Sequence, residues 1–282
     1  MWTLNRPDHT ARAAFTICIS RVREAELKAR LEGVIQAVVD ASAAFDLAAK
    51  NQTLCELARQ TSVGGTVTTA EMEKVYTQRM AKRGAPGRVI YDDIIAASPQ
   101  GRCPLCAQRP VSTLDHHLPK AHYPALAVAP LNLVPSCGDC NKAKLDGIPS
   151  TAAEVSLHPY FDNVDGECWL SAVVVETQPA AARFRVVVPE AWDAVLGERV
   201  RYHFKVLALG KLYASEAAEE LANVRHQLIG LRAAAGAGAV RAWLEERALS
   251  CAYARRNGWR TATYRAWANS RWFCDGGFEP VG

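Results

Sequence analysis

Two Cys-x-x-Cys pairs, Cys103 with Cys106 and Cys137 with Cys140, constrain this chain more than any other feature of its sequence. Zinc prefers four thiolate ligands in a tetrahedron, and two turns that each carry two sulfurs can complete such a site. A zinc ion held by all four cysteines has no open position for chemistry. The pairs therefore predict a structural zinc clamp, with any reactive groups between the pairs or just after them.

An acid and an imidazole follow one another between the pairs, at Asp115 and His116, and Asn141 comes directly after the last cysteine. The neutral imidazole of His116 titrates near working pH and can take a proton from water. Carboxylate and amide oxygens suit a hard divalent ion such as Mg²⁺ or Mn²⁺. Three basic residues are placed to meet the phosphates around such a site: Lys120, Lys142 and Lys144. This pattern predicts a site for a hard divalent ion beside a general base.

Six spaced elements of this region occur together in one known family. They are the two cysteine pairs, the segment Leu114-Asp115-His116-His117-Leu118-Pro119-Lys120, the triplet Asn132-Leu133-Val134, and Asn141 and Lys144 after the second pair. In this combination, residues 101 to 146 resemble the zinc-containing HNH endonucleases. The resemblance implies a ββα-metal fold that holds a single divalent ion.

The same resemblance assigns roles to four residues. It makes His116 the general base and Asp115 a ligand of the catalytic ion, and Asn132 would tie the two strands together and steady the base. Asn141 stands where many members have the third signature histidine, so the chain resembles the HNN variant. The implied substrate is DNA, double-stranded, cleaved to 5′-phosphate and 3′-hydroxyl ends.

Other interpretations stay open on the sequence. Four cysteines at this spacing also fit a non-catalytic, zinc-stabilised DNA-binding or adaptor protein, and the phosphate chemistry does not exclude RNA as substrate. We expect His117 to pack rather than to act as a second base. His158 opens the segment His158-Pro159-Tyr160-Phe161-Asp162. It fits a hydrogen-bonded histidine that docks the module onto the C-terminal part, or an additional contact to metal or substrate.

Positive charge is concentrated near the end of the chain. The formal net charge is only +4, but nine arginines and two glutamates between Arg225 and Arg271 give that segment +7. Arginines with interleaved aromatic residues are typical of nucleic-acid grooves, although the aromatics can equally fill the core of a helical bundle. The strongest candidates for phosphate contacts are Arg255, Arg256 and Arg260.

The sequence predicts an α+β fold that is mainly helical, with the zinc-clamped ββα core between helical N-terminal and C-terminal parts. Residues 1–100 form the helical N-terminal region, with one helix from Arg21 to about Lys50. Residues 101–150 form the nuclease core, with strands at Val111–Leu114 and near 131–134 and a helix from Cys137. Residues 151–282 begin with strands at Trp169–Val175 and Arg183–Val188 and continue as a helical bundle broken at Gly210, Gly236 and Gly258.

Cysteine use and the first residues bear on compartment and partners. The chain has nine cysteines, four of them in metal spacing, and it starts without an apolar leader. These features favour a reducing, cytoplasmic location with no membrane attachment.

A weaker resemblance, carried mainly by the segment from His158 to Asp162, is to HNH nucleases of Septu-like and retron-linked anti-phage systems. It implies a defence effector with an ABC-type ATPase as partner.

Overall fold

Helices dominate this α+β protein, as its sequence predicts. The computed structural model describes residues 1–144 and 147–279. The chain forms two structural units, Met1–Asn163 and Val164–Gly282. The first unit therefore contains the N-terminal helices, the cysteine module and the segment from His158 to Asp162.

Five helices and one short hairpin precede the cysteine module. They are α1 (Ala11–Ile19), α2 (Ala25–Gly33), α3 (Ile35–Lys50), β1 (Ser62–Val63), β2 (Val67–Thr68), α4 (Thr69–Tyr76) and α5 (Arg88–Ala96). The single helix predicted over 21–50 is wrong, because Val34 leaves the helical region with φ −100° and ψ 4°. Gly64, in the β1–β2 turn, has a φ of +57°, and a Cβ there would lie 2.9 Å from Val34 Cγ1. The break at Val34 thus packs against a turn that needs glycine.

The start of α4 is fixed by side-chain bonds. Thr68 accepts the Glu71 N–H, and the Glu71 carboxylate accepts the Thr68 N–H, which is a complete capping box. Arg30 of α2 binds the same carboxylate through two nitrogens at 2.7 and 3.0 Å. This fork between α2 and α4 sets their relative position.

A single apolar core joins these helices to the cysteine module. Its fully buried members come from α1, α3, α4, the turn after α4 and the loop after β3, and include Phe15, Phe45, Met72, Met80, Leu118 and Val128. Pro124–Leu126 and Pro130–Asn132 form short 3₁₀ turns against α3. The proline-punctuated loop is therefore an ordered part of the core.

The cysteine module has the order strand, strand, helix. Strand β3 (Thr113–His116) pairs antiparallel with β4 (Leu133–Ser136), and α6 (Gly138–Lys144) follows. Both strands begin two residues later than predicted. For β4 the reason is the turn at Pro130–Asn132, which occupies the residues assigned to the strand's start.

Over residues 164–279, the second unit contains one hairpin and three α-helices. These are β5 (Leu170–Val175), β6 (Ala181–Val186), α7 (Ala194–Val206), α8 (Leu209–Ala254) and α9 (Trp259–Asn269). The break predicted at Gly210 lies two residues earlier, where Ala208 has φ 49°. The break at Gly236 is present as a kink within α8, with φ 76°.

Aromatic residues of the arginine-rich end fill the core of this second unit. Tyr264, Trp267 and Phe273 are at most 2% exposed. The Trp267 and Phe273 rings stack with centroids 5.1 Å apart, and Tyr264 meets Trp267 edge-on at 5.3 Å. For these aromatics, the helical-bundle interpretation is correct and the stacking-groove interpretation is wrong.

Among the described residues, no helix combines the length and the apolar character needed to cross a membrane.

Candidate functional site

Four sulfur atoms meet in the first unit, those of Cys103, Cys106, Cys137 and Cys140, and all lie within 4.8 Å of one another. All four cysteines are buried. Sulfurs about 2.3 Å from a tetrahedral zinc are separated by roughly 3.8 Å, and those of Cys106 and Cys137 are 4.0 Å apart. The predicted four-cysteine cluster is present, and its size and donor chemistry fit a zinc-type metal ion.

Each cysteine pair lies in a turn that directs a backbone N–H at sulfur. Arg109 N–H donates to Cys106 Sγ at 3.5 Å, and Cys140 N–H donates to Cys137 Sγ at 3.4 Å. Hydrogen bonding, chiefly with Cys103, lowers the pKa of the Cys106 thiol to about 7. The same kind of bonding, again chiefly with Cys103, lowers the pKa of Cys137 far below its usual value. Hydrogen bonding with the neighbouring sulfurs raises the pKa of the other two thiols, Cys103 and Cys140, so without a metal only Cys106 and Cys137 favour thiolate, the form that binds metal.

The β3–β4 hairpin brings the polar residues of the module together. Asp115 lies opposite Val134 and His116 opposite Leu133. Successive side chains of a strand point to opposite faces, so Asp115 and His116 reach different surroundings. Asn132 stands directly before β4, and α6 begins after Cys137.

Asp115 is paired with Lys144, the last residue of α6. Lys144 Nζ lies 2.7 Å from Asp115 Oδ2, and the two side chains are only 11% and 5% exposed. The same ammonium donates to the carbonyls of His116 and His117 at 3.3 and 3.2 Å. Burial raises the pKa of Asp115, and the charge of Lys144 opposes that rise. Lys144, predicted to meet a phosphate, is instead enclosed by three oxygen atoms.

Asn141 lies one helical turn before Lys144, on the side of α6 that approaches β3. Its side chain is partly exposed. Within residues 1–144 and 147–279 that side chain makes no hydrogen bond, and no direct bond joins it to Asp115. Its amide oxygen is therefore open to a ligand.

The ring of His116 is held at one nitrogen. Nε2 lies 2.8 Å from the Ala127 carbonyl, and a carbonyl only accepts, so Nε2 carries the proton and Nδ1 keeps the lone pair. Tyr76 packs edge-on against the ring with centroids 4.4 Å apart. Burial lowers the pKa of His116 to about 3, and the charges of Lys120 and Lys144 act in the same direction. The imidazole is therefore neutral near pH 7 but does not titrate near working pH as the sequence predicts, which makes it a weaker base.

Asn132 ties the loop after β3 to the start of β4. Its Oδ1 accepts the Leu118 N–H at 2.7 Å, and its Nδ2 donates to the Leu118 carbonyl at 2.9 Å. The Asn132 carbonyl accepts the His117 N–H at 2.8 Å. Asn132 is fully buried, so these bonds are shielded from water.

The carbonyls on either side of Asn132 are bound by the segment that begins at His158. His158 Nε2 lies 3.0 Å from the Leu131 carbonyl, and the Tyr160 hydroxyl donates to the Leu133 carbonyl at 2.9 Å. His158 Nδ1 accepts the Tyr160 N–H at 3.2 Å, which places the proton on Nε2. His158 and Tyr160 therefore fix the backbone that carries Asn132.

His158 packs within the first unit. Its ring lies 4.3 Å from that of His117 and 5.9 Å from that of Phe45 in α3. His117 is 6% exposed and packs as expected. The bonded histidine is the arrangement found, but these contacts are with residues of the N-terminal unit rather than with the C-terminal part.

Sequence reasoning missed Tyr160, Tyr76 and the Ala127 carbonyl as parts of this site. His158 and Tyr160 lie in a turn, in which the Phe161 and Asp162 N–H groups donate to the His158 carbonyl, so no strand periodicity signals their bonds to neighbouring carbonyls. Nothing in the sequence singles out Ala127, because any residue supplies a carbonyl.

The predicted phosphate-binding residues are divided between the two units. Lys120 is half-buried and Lys142 exposed beside the first-unit site. In the second unit, Arg256 donates to the Gly166 carbonyl. Arg260 pairs with Glu220 at 3.3 Å and stacks over Trp259 at 4.6 Å. Arg255 is half-buried at the end of α8.

The chain is similar to a protein of Escherichia phage lambda, "Protein ea31", with 37% identity over 169 residues. The aligned region is 58% of this chain and 56% of the phage protein, so the match spans little more than half of that relative. No protein-family model matches the chain. No solved structure matches it either.

Proposed function

We propose that this protein is a metal-dependent endonuclease of the HNH type, in its HNN variant, that hydrolyses phosphodiester bonds of double-stranded DNA. The observation that carries the proposal is the state of His116. Its Nε2 is committed to the Ala127 carbonyl at 2.8 Å, so a neutral Nδ1 is left to accept a proton. His116 lies on β3, in the same module as the four buried cysteines.

Two metal ions have separate tasks in this proposal. The four cysteines hold zinc, which stabilises the module and takes no part in the reaction. Asp115 and Asn141 would hold Mg²⁺ or Mn²⁺, since a carboxylate and an amide oxygen match that class of ion. The Lys144 ammonium at Asp115 Oδ2, with two carbonyl oxygens, marks this place as one that attracts a cation. When bound, such an ion neutralises charge on the phosphate and stabilises the leaving 3′ oxygen.

The residues of the chain perform the remaining steps. His116 Nδ1 removes a proton from the attacking water, a contribution of about 10² to 10⁴ in rate. Asn132 holds the loop that follows His116 through its two bonds to Leu118. Lys120 and Lys142 bind phosphates that flank the cleaved bond. The products are a 5′-phosphate and a 3′-hydroxyl.

One observation favours a second candidate, a zinc-stabilised DNA-binding or adaptor module without catalysis. Asp115 already has a cationic partner in Lys144 at 2.7 Å. A buried carboxylate paired with a lysine has a structural role that needs no divalent ion.

A nuclease assay distinguishes the two candidates. Supercoiled plasmid, linear duplex DNA and single-stranded RNA are each incubated with the full chain and with Mg²⁺ or Mn²⁺. The nuclease proposal expects nicking of the plasmid that is lost in His116→Ala and retained in His226→Ala, a substitution of an exposed histidine in α8. Both variants should keep their zinc. Binding of DNA without cleavage under every metal condition favours the adaptor, and cleavage confined to RNA changes the substrate.

A further inference from the structure

Strand β5 has an open edge. Among residues 164–279, the sheet of the second unit has two strands, and β5 pairs with β6 on one side only. Val187 N–H donates to the Trp169 carbonyl, and in an antiparallel pair every second residue then bonds to the partner strand. With the register Ala172 opposite Phe184, the backbone groups of Ala172 and Val174 point away from β6.

Asn257 covers the first position of this edge. Its Oδ1 accepts the Leu170 N–H at 3.3 Å. Within the described ranges 1–144 and 147–279, no group bonds to the outward N–H groups of Ala172 and Val174. Unpaired strand edges are templates for another strand.

A groove of about 530 Å³ runs between this edge and α9. Consecutive residues from Cys168 to Val174 form one wall, and α9 forms the other with Ala262, Arg265, Ala266 and Asn269. Their spacing of three and four residues places them on one helix face. The two alanines have small side chains that leave room in the groove, whereas Arg265 and Asn269 contribute polar groups to its wall.

Arg265 shows what chemistry the groove accepts. Arg265 is exposed and bonds to the Cys168 sulfur at 3.6 Å. In the part of the chain that the structure describes, no carboxylate forms an ion pair with Arg265.

We propose that the β5 edge and α9 form a docking groove for an extended, acidic segment of a partner protein. The segment adds a third strand by pairing with the outward backbone groups of Ala172 and Val174. It places a carboxylate against Arg265. This inference is independent of the nuclease proposal.

The edge itself favours a peptide over other occupants. Ala172 and Val174 each present a donor and an acceptor, and a peptide backbone satisfies both, whereas a phosphate backbone offers acceptors only. A second copy of this chain, paired through its own β5, brings the sequence Leu-Ser-Ala-Val-Val-Val, which contains no carboxylate for Arg265.

The test is a selection of random dodecapeptides on the immobilised full chain, followed by fluorescence-polarisation titration of the enriched peptides. We expect the enriched peptides to have β-branched residues at alternate positions and Asp or Glu at one fixed position. Ala172→Pro removes one outward N–H at a place where an edge strand tolerates proline. This variant and Arg265→Glu should each weaken binding at least tenfold. The charge-matched control Arg185→Glu, on β6 and outside the groove, should leave binding unchanged.

A peptide with lysine at the acidic position should regain affinity for Arg265→Glu, which tests the ion pair even if Ala172→Pro does not fold. Sedimentation of the same variants shows whether the chain self-associates. Three results overturn the proposal. They are the absence of any enriched peptide that depends on Arg265, a dimer that Ala172→Pro dissociates, and a loss of DNA affinity in Arg265→Glu with peptide affinity unchanged.

Discussion

Lys144 Nζ lies 2.7 Å from Asp115 Oδ2, which joins the end of α6 to strand β3 in an almost completely buried ion pair. The ammonium also donates to the carbonyls of His116 and His117, so it binds three oxygen atoms. This ion pair connects α6, the helix that contains Cys140, to the strand that carries Asp115 and His116, the residues at the centre of the proposed reaction.

Removal of the ammonium should destabilise the first unit. Lys144→Met keeps the length of the side chain but leaves Asp115 buried without a partner, which costs about 3 to 5 kcal/mol. Urea unfolding measures the change. Lys142→Met, on the same helix but exposed, is the matched control and should change little. The double variant Asp115→Asn with Lys144→Met should recover part of the loss, and a lack of recovery would show that the pair is not the cause.

Zinc content should follow the four clustered cysteines and no others. Cys137→Ser removes one of the four sulfurs, so the purified variant should lose its single zinc ion and the order of the module with it. Cys168→Ser changes an exposed cysteine outside the cluster and should keep one zinc per chain. Atomic absorption measures the zinc content per chain of both variants. Wild-type protein without zinc, yet folded to the same degree, is incompatible with a structural clamp.

Tyr160 should act on the site through the backbone. Tyr160→Phe deletes only the hydroxyl that binds the Leu133 carbonyl, so the free energy of unfolding should fall by about 1 kcal/mol. If Asn132 depends on this bond for its position, cleavage should slow severalfold while the affinity for DNA stays constant. Tyr253→Phe, which alters a fully exposed tyrosine, is the control. Equal cleavage rates in wild type and Tyr160→Phe would limit Tyr160 to a stabilising role.

The module's core could be predicted from residue spacing because metal chemistry fixes both ligand type and separation. Cys103, Cys106, Cys137 and Cys140 cluster as expected, and the strand, strand, helix order follows from their positions. The ion pair of Lys144 with Asp115 could not be predicted from the sequence, because a lysine at the end of a metal-binding helix fits a phosphate contact equally well. Only the three-dimensional approach of α6 to β3 distinguishes an ion pair from a phosphate contact.

His158 shows a second limit of prediction from the sequence, which is contact between residues far apart in the chain. Its hydrogen-bonded state could be foreseen, but its contact with Phe45 of α3 joins positions more than a hundred residues apart. Local patterns also misplaced helix boundaries. Helices break at Val34 and Ala208, and neither is a residue type that signals a break.

Acid should weaken the fold through His116. Burial holds the pKa of its ring at about 3 in the folded protein, against 6.5 for the free side chain. Between these values the unfolded chain binds more protons, so the stability that is full above pH 6.5 is lost progressively as the pH falls toward 3. His116→Gln can keep a bond to Ala127 without titrating. Between pH 7 and pH 5 the wild type should lose about 1 to 2 kcal/mol more than this variant. Parallel urea curves would contradict the buried neutral ring.

The most direct test of the proposed reaction is chemical rescue of the general base. The rate of plasmid cleavage with Mg²⁺ or Mn²⁺ is measured for wild type and for His116→Gly, with and without added imidazole. We predict cleavage by the wild type, a loss of about 10² to 10⁴ in His116→Gly, and partial recovery with imidazole that Asp115→Ala does not show. Cleavage by His116→Gly at the wild-type rate, or no cleavage by the zinc-loaded wild type with either ion, would contradict the assignment of this protein as an HNH endonuclease.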